Sequence, residues 1–210
     1  MNQTPSKLLI IGNGFPFDFA QIIGSEQNYS EIKSVHLDSA DFFNFNISFF
    51  DSFPKNEWCI IVASDSYAIN YARMHLTIKI VSKGYKLATL ISSKSTIGPQ
   101  VIVSPGCLIS PSAFIMGNVS IGIGTIIGPE CFIRSGCKLD KFVFLNDRVS
   151  IGEKSIIQLG SSIGSNIFLE NNTVIGKHCE ILLESQNIKH KTDRFFLDKN
   201  FSNGMQIYNL

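Results

Sequence analysis

From Ile91, steps of six meet Ile97, Val103, Ile109, Ile115, Ile121, Ile127, Ile133, Leu139, Leu145, Ile151, Ile157, Ile163, Leu169, Ile175 and Ile181. The aliphatic beat has no insertion. Neither the 3.6-residue period of a helix nor the two-residue period of a strand yields it. A period of six belongs to hexapeptide repeats, in which each repeat gives one short strand and turn of a parallel β-helix. Three repeats close one triangular coil, and each aliphatic residue stacks on its counterpart one coil away at about 4.8 Å. The residue four places after each aliphatic is mostly small or β-branched: Ser95, Val101, Cys107, Ala113, Val119, Thr125, Cys131, Cys137, Val143 and Val149. This is the second inward position, where a narrow prism has little room. Gly follows the aliphatic at Gly98, Gly122, Gly128, Gly152, Gly164 and Gly176, which suits either a positive φ or tight packing at a corner.

Before residue 90 the pattern changes. "KLLIIGNG" is an apolar strand running into a Gly turn, and "FPFDFAQIIG" has the spacing of a short helix. "KSVHLDSAD" and "EWCIIVASD" read as second and third strands, and "YAINYARMHLTIKIVSKGY" as a helix ending on Gly84. Strands alternating with helices predict a parallel α/β sheet, a small Rossmann-like unit of residues 1–88. The beat predicts a β-helix over 89–186, and the polar remainder, 187–210, a cap over its open strand edges. The Phe-rich "DFFNFNISFFDSF" reads as core or subunit contact.

Composition narrows the partners. The 210 residues carry 18 Lys and Arg against 17 Asp and Glu, a net charge of +1, which argues against a nucleic-acid footprint. No window approaches the roughly 18 apolar residues of a membrane span, and the N-terminal apolar run is short for a signal peptide. These features predict a soluble, cytoplasmic protein with no membrane partner. Of the five cysteines, Cys107, Cys131, Cys137 and Cys179 fall on one phase of the beat, and none forms a C-x-x-C pair. They read as small buried hydrophobes, with no metal site.

Candidate chemistry gathers at two places. Gly12 and Gly14 stand where the first two glycines of G-x-G-x-x-G would be, with Phe17 in place of the third. A turn at the C-terminal ends of parallel strands is where a ligand sits in such sheets. Asp38 ends the second strand, and Ser64 with Asp65 ends the third; both carboxylates suit ligand hydroxyls or an imide N–H, and equally the capping of helices. The second place is "CKLDKFVFLND", where the beat continues but Asp140, Lys141, Asn146 and Asp147 crowd the outward positions.

An α/β unit followed by a hexapeptide β-helix, with the segments "VASDSYAINYARMHL", "GYKLATLISSKSTIG" and "CFIRSGCKLDKFV" in matching positions, resembles the PglD/NeuD-type sugar acyltransferases of bacteria over nearly the whole chain. The resemblance implies a left-handed β-helix, a homotrimer, acetyl-CoA bound between adjacent subunits, and a nucleotide-sugar held by the N-terminal unit. Parallel crossovers are otherwise right-handed, so the hand rests on the resemblance alone. The family's uridine contacts map to Gly12, Asn13, Gly14, Asp38, Ser64 and Asp65. Its catalytic His follows an acidic residue after a "TG" pair. Here the pair is Ser135-Gly136, the acidic residue is Asp140, and the His position holds Lys141. A second family His corresponds to Ser150, and the family's Asn before "TG" is Arg134. Asp140, Lys141 and Asn146 are thus the candidate catalytic residues, without a base.

A hydroxyl acceptor needs a general base during attack. A sugar amine is partly neutral at neutral pH and attacks unaided if held in near-attack geometry. Loss of the His therefore favours N-acetylation, within the family a UDP-4-amino-4,6-dideoxy sugar acetylated for surface-glycan synthesis. O-acylation of a sialic-type sugar and a non-catalytic nucleotide-sugar-binding relative are the competing expectations. A Lys141 base needs a much lowered pKa, which neighbouring Asp140 opposes. His36, His75, His178 and His190 read as surface or packing residues.

Overall fold

The computed structural model describes residues 5–38, 41–66, 70–183 and 188–208. Strands β1 (Lys7–Gly12), β2 (Glu31–His36), β3 (Trp58–Ala63) and β4 (Lys86–Leu87) form a parallel sheet in the order β2–β1–β3–β4. Helix α1 (Gly14–Glu26) joins β1 to β2. The short α2 (Asp41–Asn44) and a 3₁₀ turn, Ile47–Ser52, precede β3, and α3 (Tyr71–Ser82) joins β3 to β4. β3 is buried at every position, as expected of a parallel strand covered on both faces.

Alternation along β1 and β3 creates two cores. Leu8, Ile10 and Ile61 face α1 residues Ala20 and Ile23. Leu9, Ile11 and Ile60 face Leu76 and Ile80 of α3. The Phe-rich segment fills this second core: Phe45, Phe49, Phe50 and Phe53 pack ring against ring and onto Trp58 and Tyr85.

From Leu90 to Ile181 the chain winds through two-residue strands that pair with strands one coil away, forming three ladders among the described residues. The first ladder includes Leu108–Ile109, Ile126–Ile127 and Phe144–Leu145; the second Phe114–Ile115, Phe132–Ile133 and Ser150–Ile151; the third Ser120–Ile121, Lys138–Leu139 and Ile156–Ile157. This is a parallel β-helix, and its hexapeptide ladders fit the left-handed form. From Ile109 to Ile181 the beat residues line its core. Ile97 stays exposed at the coil's open first turn. Outward residues Leu90, Leu108, Ile126 and Phe144 of the first ladder join the α1 core, so α1 lies between sheet and coil.

The segment after 187 continues the ladders. His190–Lys191 pairs with Val174–Ile175, and Phe195–Leu197 with Glu180–Ile181. Met205–Gln206 then pairs antiparallel with Phe195–Phe196, closing that edge.

The corners resolve the two readings of the glycines. Gly122 and Gly128 have no positive φ. A Cβ on either would lie 2.6 or 2.7 Å from the backbone of the next coil, at Asp140–Lys141 and Asn146 respectively. Close stacking is what requires them. The left-handed residue comes two places later, at Gly124, Glu130, Gly136, Phe142, Arg148, Lys154 and Gly160 in succession.

Candidate functional site

The strand order reverses between β1 and β3, with β2 added on one side and β3 on the other, the switch point where an open parallel sheet leaves a crevice. The Gly12–Gly14 turn and Ser64–Asp65 lie there side by side. A Cβ on Gly12 would overlap the Ala63 carbonyl oxygen, and Gly14 holds φ +61. Asn13 is buried, its N–H donates to the Ala63 carbonyl at 3.2 Å, and its Oδ1 accepts from the Asp65 N–H at 3.2 Å. Ser64 is also buried. Asp38 is exposed, two residues beyond β2, on the outer side of the turn. Of the two capping expectations, Asp65 does not cap α3, whose N-cap is Asn70. A cap at Asp38 would involve residues 39 and 40, which lie outside the described residues.

The β-helix candidates divide between two corners. Asp140 and Lys141 sit at the corner between the third and first ladders, and Asn146 at the next, between the first and second. Asp140 Oδ1 accepts from the Lys141 N–H at 2.8 Å, and Asn146 Oδ1 from the Asp147 N–H at 3.1 Å, so both side chains brace their own turns. Lys141 is exposed at the edge of a groove lined by Thr77, Ile78, Val81, Ser82, Ile123 and Phe142. Ser150 faces outward on the second ladder, paired with Phe132 and Phe168, and Arg134 rides over the Phe132 ring. No histidine lines the Lys141 groove. His178 stacks on Tyr71 at 4.6 Å, His36 packs edge-on to Phe17, and His75 lies against Phe43. Burial, then the Arg194 charge, pushes the His178 imidazole below its ordinary value.

The four in-phase cysteines are more than fillers. Cys107, Cys131 and Cys137 each donate Sγ–H to a carbonyl fifteen residues on, at Gly122, Asn146 and Gly152, and Thr125 does the same to Asp140. Cys179 reaches the Thr192 carbonyl in the same sense. These bonds satisfy corner carbonyls that the ladders leave over. Burial raises the Cys107 thiol to about 11 and Cys131 to about 12, so neither is a thiolate nucleophile. Among the described residues no three His, Cys, Asp or Glu side chains gather as a metal site, and no helix is long and apolar enough to cross a membrane.

One constellation escaped the sequence reading. Arg73 of α3 is 1% exposed. Its Nη1 donates to the Gly124 carbonyl, and its Nη2 to the Asn70 Oδ1 at 2.6 Å and the Phe142 carbonyl at 3.1 Å. Asn70 Nδ2 donates in turn to the Gly160 carbonyl and to Ser162 Oγ, at 3.0 and 2.8 Å. The guanidinium lies 5.8 Å from the ring centroids of both Phe142 and Phe144. Burial lowers the Arg73 pKa to about 9, against the pull of Cys107 and Asp65. The available sign was its position: Arg73 shares the buried stripe of Leu76 and Ile80.

An open parallel α/β sheet with a switch-point turn, joined to a hexapeptide β-helix, defines a two-part fold. The chain is similar throughout to solved structures of that fold. The acetyltransferase domain of PglB from Neisseria gonorrhoeae FA1090, in complex with acetyl coenzyme A, is 20% identical with a TM-score of 0.59, covering 92% of this chain and 96% of that one. A mutant perosamine N-acetyltransferase from Caulobacter crescentus, in complex with CoA and GDP-perosamine, is 17% identical with a TM-score of 0.54, covering 90% and 92%. The family model of the GMPPB C-terminal domain matches residues 97–190, the coil itself. No curated protein sequence matches the chain.

Proposed function

We propose that this protein is an acetyl-CoA-dependent N-acetyltransferase acting on the amine of a nucleotide-linked sugar. One observation carries the reading: a switch-point turn with buried Asn13 and Ser64 and a β-helix corner bearing Asp140 and Lys141 occur together in a fold shared with an acetyltransferase domain solved with acetyl coenzyme A and a perosamine N-acetyltransferase solved with CoA and GDP-perosamine. In this reading residues 1–88 are the Rossmann-like nucleotide-sugar unit, 89–186 the left-handed β-helix, and 187–210 a cap whose strands His190–Lys191 and Phe195–Leu197 extend the ladders.

In this reading Gly12, Asn13 and Gly14 admit the nucleotide, while Ser64, Asp65 and Asp38 bind its hydroxyls and base edge. Lys141 lies beside Thr77, Ile78, Val81 and Ser82 of α3, whereas the turn precedes that helix in the chain. In this reading a sugar held at the turn of one subunit meets the corner of its neighbour in a homotrimer. There the amine nitrogen attacks the thioester carbonyl, the C–S bond breaks, and the thiolate takes the surplus proton from nitrogen. The products are an amide and free CoA thiol. With a thiol pKa of about 8.5, the leaving group is itself an adequate proton acceptor. Asp140 accepts from the amine and holds it in line, Lys141 offers charge to the sugar's anionic substituents, and Asn146 contributes from the second corner. The acceptor is a UDP-4-amino-4,6-dideoxy sugar, made in the cytoplasm for a surface glycan.

Thiol release from acetyl-CoA, measured with UDP- and GDP-linked amino sugars, tests this directly. Release with an amine and none with the matching hydroxyl sugar is expected. Release only with a hydroxyl acceptor supports the sialic-type O-acyltransferase, and tight nucleotide-sugar binding without turnover supports a non-catalytic relative. Lys141→His restores the family's base. On the same amine it changes kcat by less than about tenfold if the base is dispensable, and a larger gain overturns that point.

A further inference from the structure

Along the corner between the third and first ladders, the left-handed position is occupied in order by Gly124, Phe142, Gly160 and His178. Helix α3 grips all four. Arg73 takes the carbonyls of Gly124 and Phe142, Asn70 takes that of Gly160, and Tyr71 stacks on His178. Phe142 is unusual among them. A bulky residue at φ 57 is strained, and it stands one peptide from Lys141 and two from Asp140. Strain of this kind persists where the surroundings over-determine it. Here they do. Phe142 donates its N–H to the Ile123 carbonyl at 2.8 Å, its ring covers the space above Gly124, and its carbonyl is fixed by a guanidinium with no exposed route of its own.

We propose that Arg73 and Asn70 are positioning residues for the transfer reaction: through the Phe142 carbonyl they hold the Asp140–Lys141 corner in its productive shape and fix it against the helix that leads from the nucleotide turn. The catalytic part rests on the acetyl-transfer reading; the positional part does not. A buried arginine that served stability alone could bond any three carbonyls. This one bonds the strained peptide beside the candidate site, and its partner Asn70 begins the helix that follows Asp65. In the shared-site reading, one helix thus links the turn of one site to the corner that its subunit lends to the next.

Three variants test the proposal: Arg73→Met, Arg73→Lys and Asn70→Gly, the last tolerating the left-handed φ 63 of Asn70. In CoA-release assays, Arg73→Met and Asn70→Gly lower kcat by about tenfold or more, with KM for either substrate within about threefold, and Arg73→Lys recovers most of the loss. In an Asp140→Asn background, Arg73→Met costs less than about threefold, because both changes act on one corner. Full additivity, or an unchanged kcat in a variant that merely melts lower, overturns the proposal. Crystal structures of whichever variants fold supply a readout independent of activity. Displacement of residues 140–142 is expected, and an unmoved corner overturns the positional claim. A wild-type protein that releases CoA with no amine overturns the acetyl-transfer reading, and the catalytic claim with it, while the crystal structures decide the positional claim alone.

Discussion

A methyl group on Gly122 would have to share space with the backbone of Asp140 and Lys141, 2.6 Å away. Backbone cannot swing aside as a side chain can, so the stack must open. Gly136 makes the contrast: it has φ +75, but its added Cβ would press on the flexible Lys154 side chain at 3.3 Å and meet backbone no nearer than an ordinary 3.9 Å contact. Gly122→Ala is therefore expected to cost about 2–3 kcal/mol, and Gly136→Asn, in a residue that tolerates the left-handed region, about 1 kcal/mol or less. Urea midpoints of the two variants check the order; a reversed order means that φ, not stacking, governs these corners. The sequence exposed the glycines but not which demand they answer, because strain and close approach leave the same letter. It likewise showed small residues at the second inward position without the bonds that Cys107, Thr125, Cys131 and Cys137 make to carbonyls fifteen residues on. A hydrogen bond between coils depends on how far the chain rises per turn, and that distance is not written in any hexapeptide.

Helix α3 is the element that joins the two halves, and its far grip has a pH signature. His178 lies against Tyr71 with its imidazole pushed below the ordinary value of 6.5 by burial. The fold favours the neutral ring. Its contribution is thus complete above 6.5 and is lost as pH falls below that value, towards the depressed folded one. Melting temperatures at pH 7.5 and 5.5 should diverge in the wild type, and less so in His178→Asn, which keeps a residue suited to φ 53. Equal divergence in both would assign the acid sensitivity elsewhere. Elements and their order were legible: the apolar runs of β1 and β3, the helical spacing of α3, and the ladder strands from the beat as far as Ile181; the later rungs His190–Lys191 and Phe195–Leu197, read as cap, lack the beat. The docking of α3 was not. Its buried stripe contains an arginine, a residue that composition assigns to the surface, and only the corner carbonyls of another part of the chain make that burial tolerable.

At the scale of the whole molecule, the three faces of the coil are unequal. The first is covered by α1 and the sheet. The others leave apolar side chains in solvent: Phe114 and Phe168 on the second, and Ile102, 68% exposed, on the third. A single-chain surface rarely keeps such residues in line without a partner, and a cyclic assembly would cover them. Sedimentation should give three times the 23.3 kDa chain. The pair Phe114→Glu and Phe168→Glu should yield single chains of unchanged circular dichroism. A wild type that sediments as one chain removes the shared-site reading.

The cysteines give that same coil a built-in clock. Cys107, Cys131, Cys137 and Cys179 are spaced along its axis, all free, buried and held protonated. The first three lie in coils whose outer face packs on the sheet and α1; Cys179 lies past that packing, in a coil held by Tyr71 against His178 and by the strand Phe195–Leu197. An alkylating reagent in mild denaturant would thus mark each thiol as its own coil opens. Mass spectrometry would read how far the spiral has come apart, turn by turn, with no label introduced.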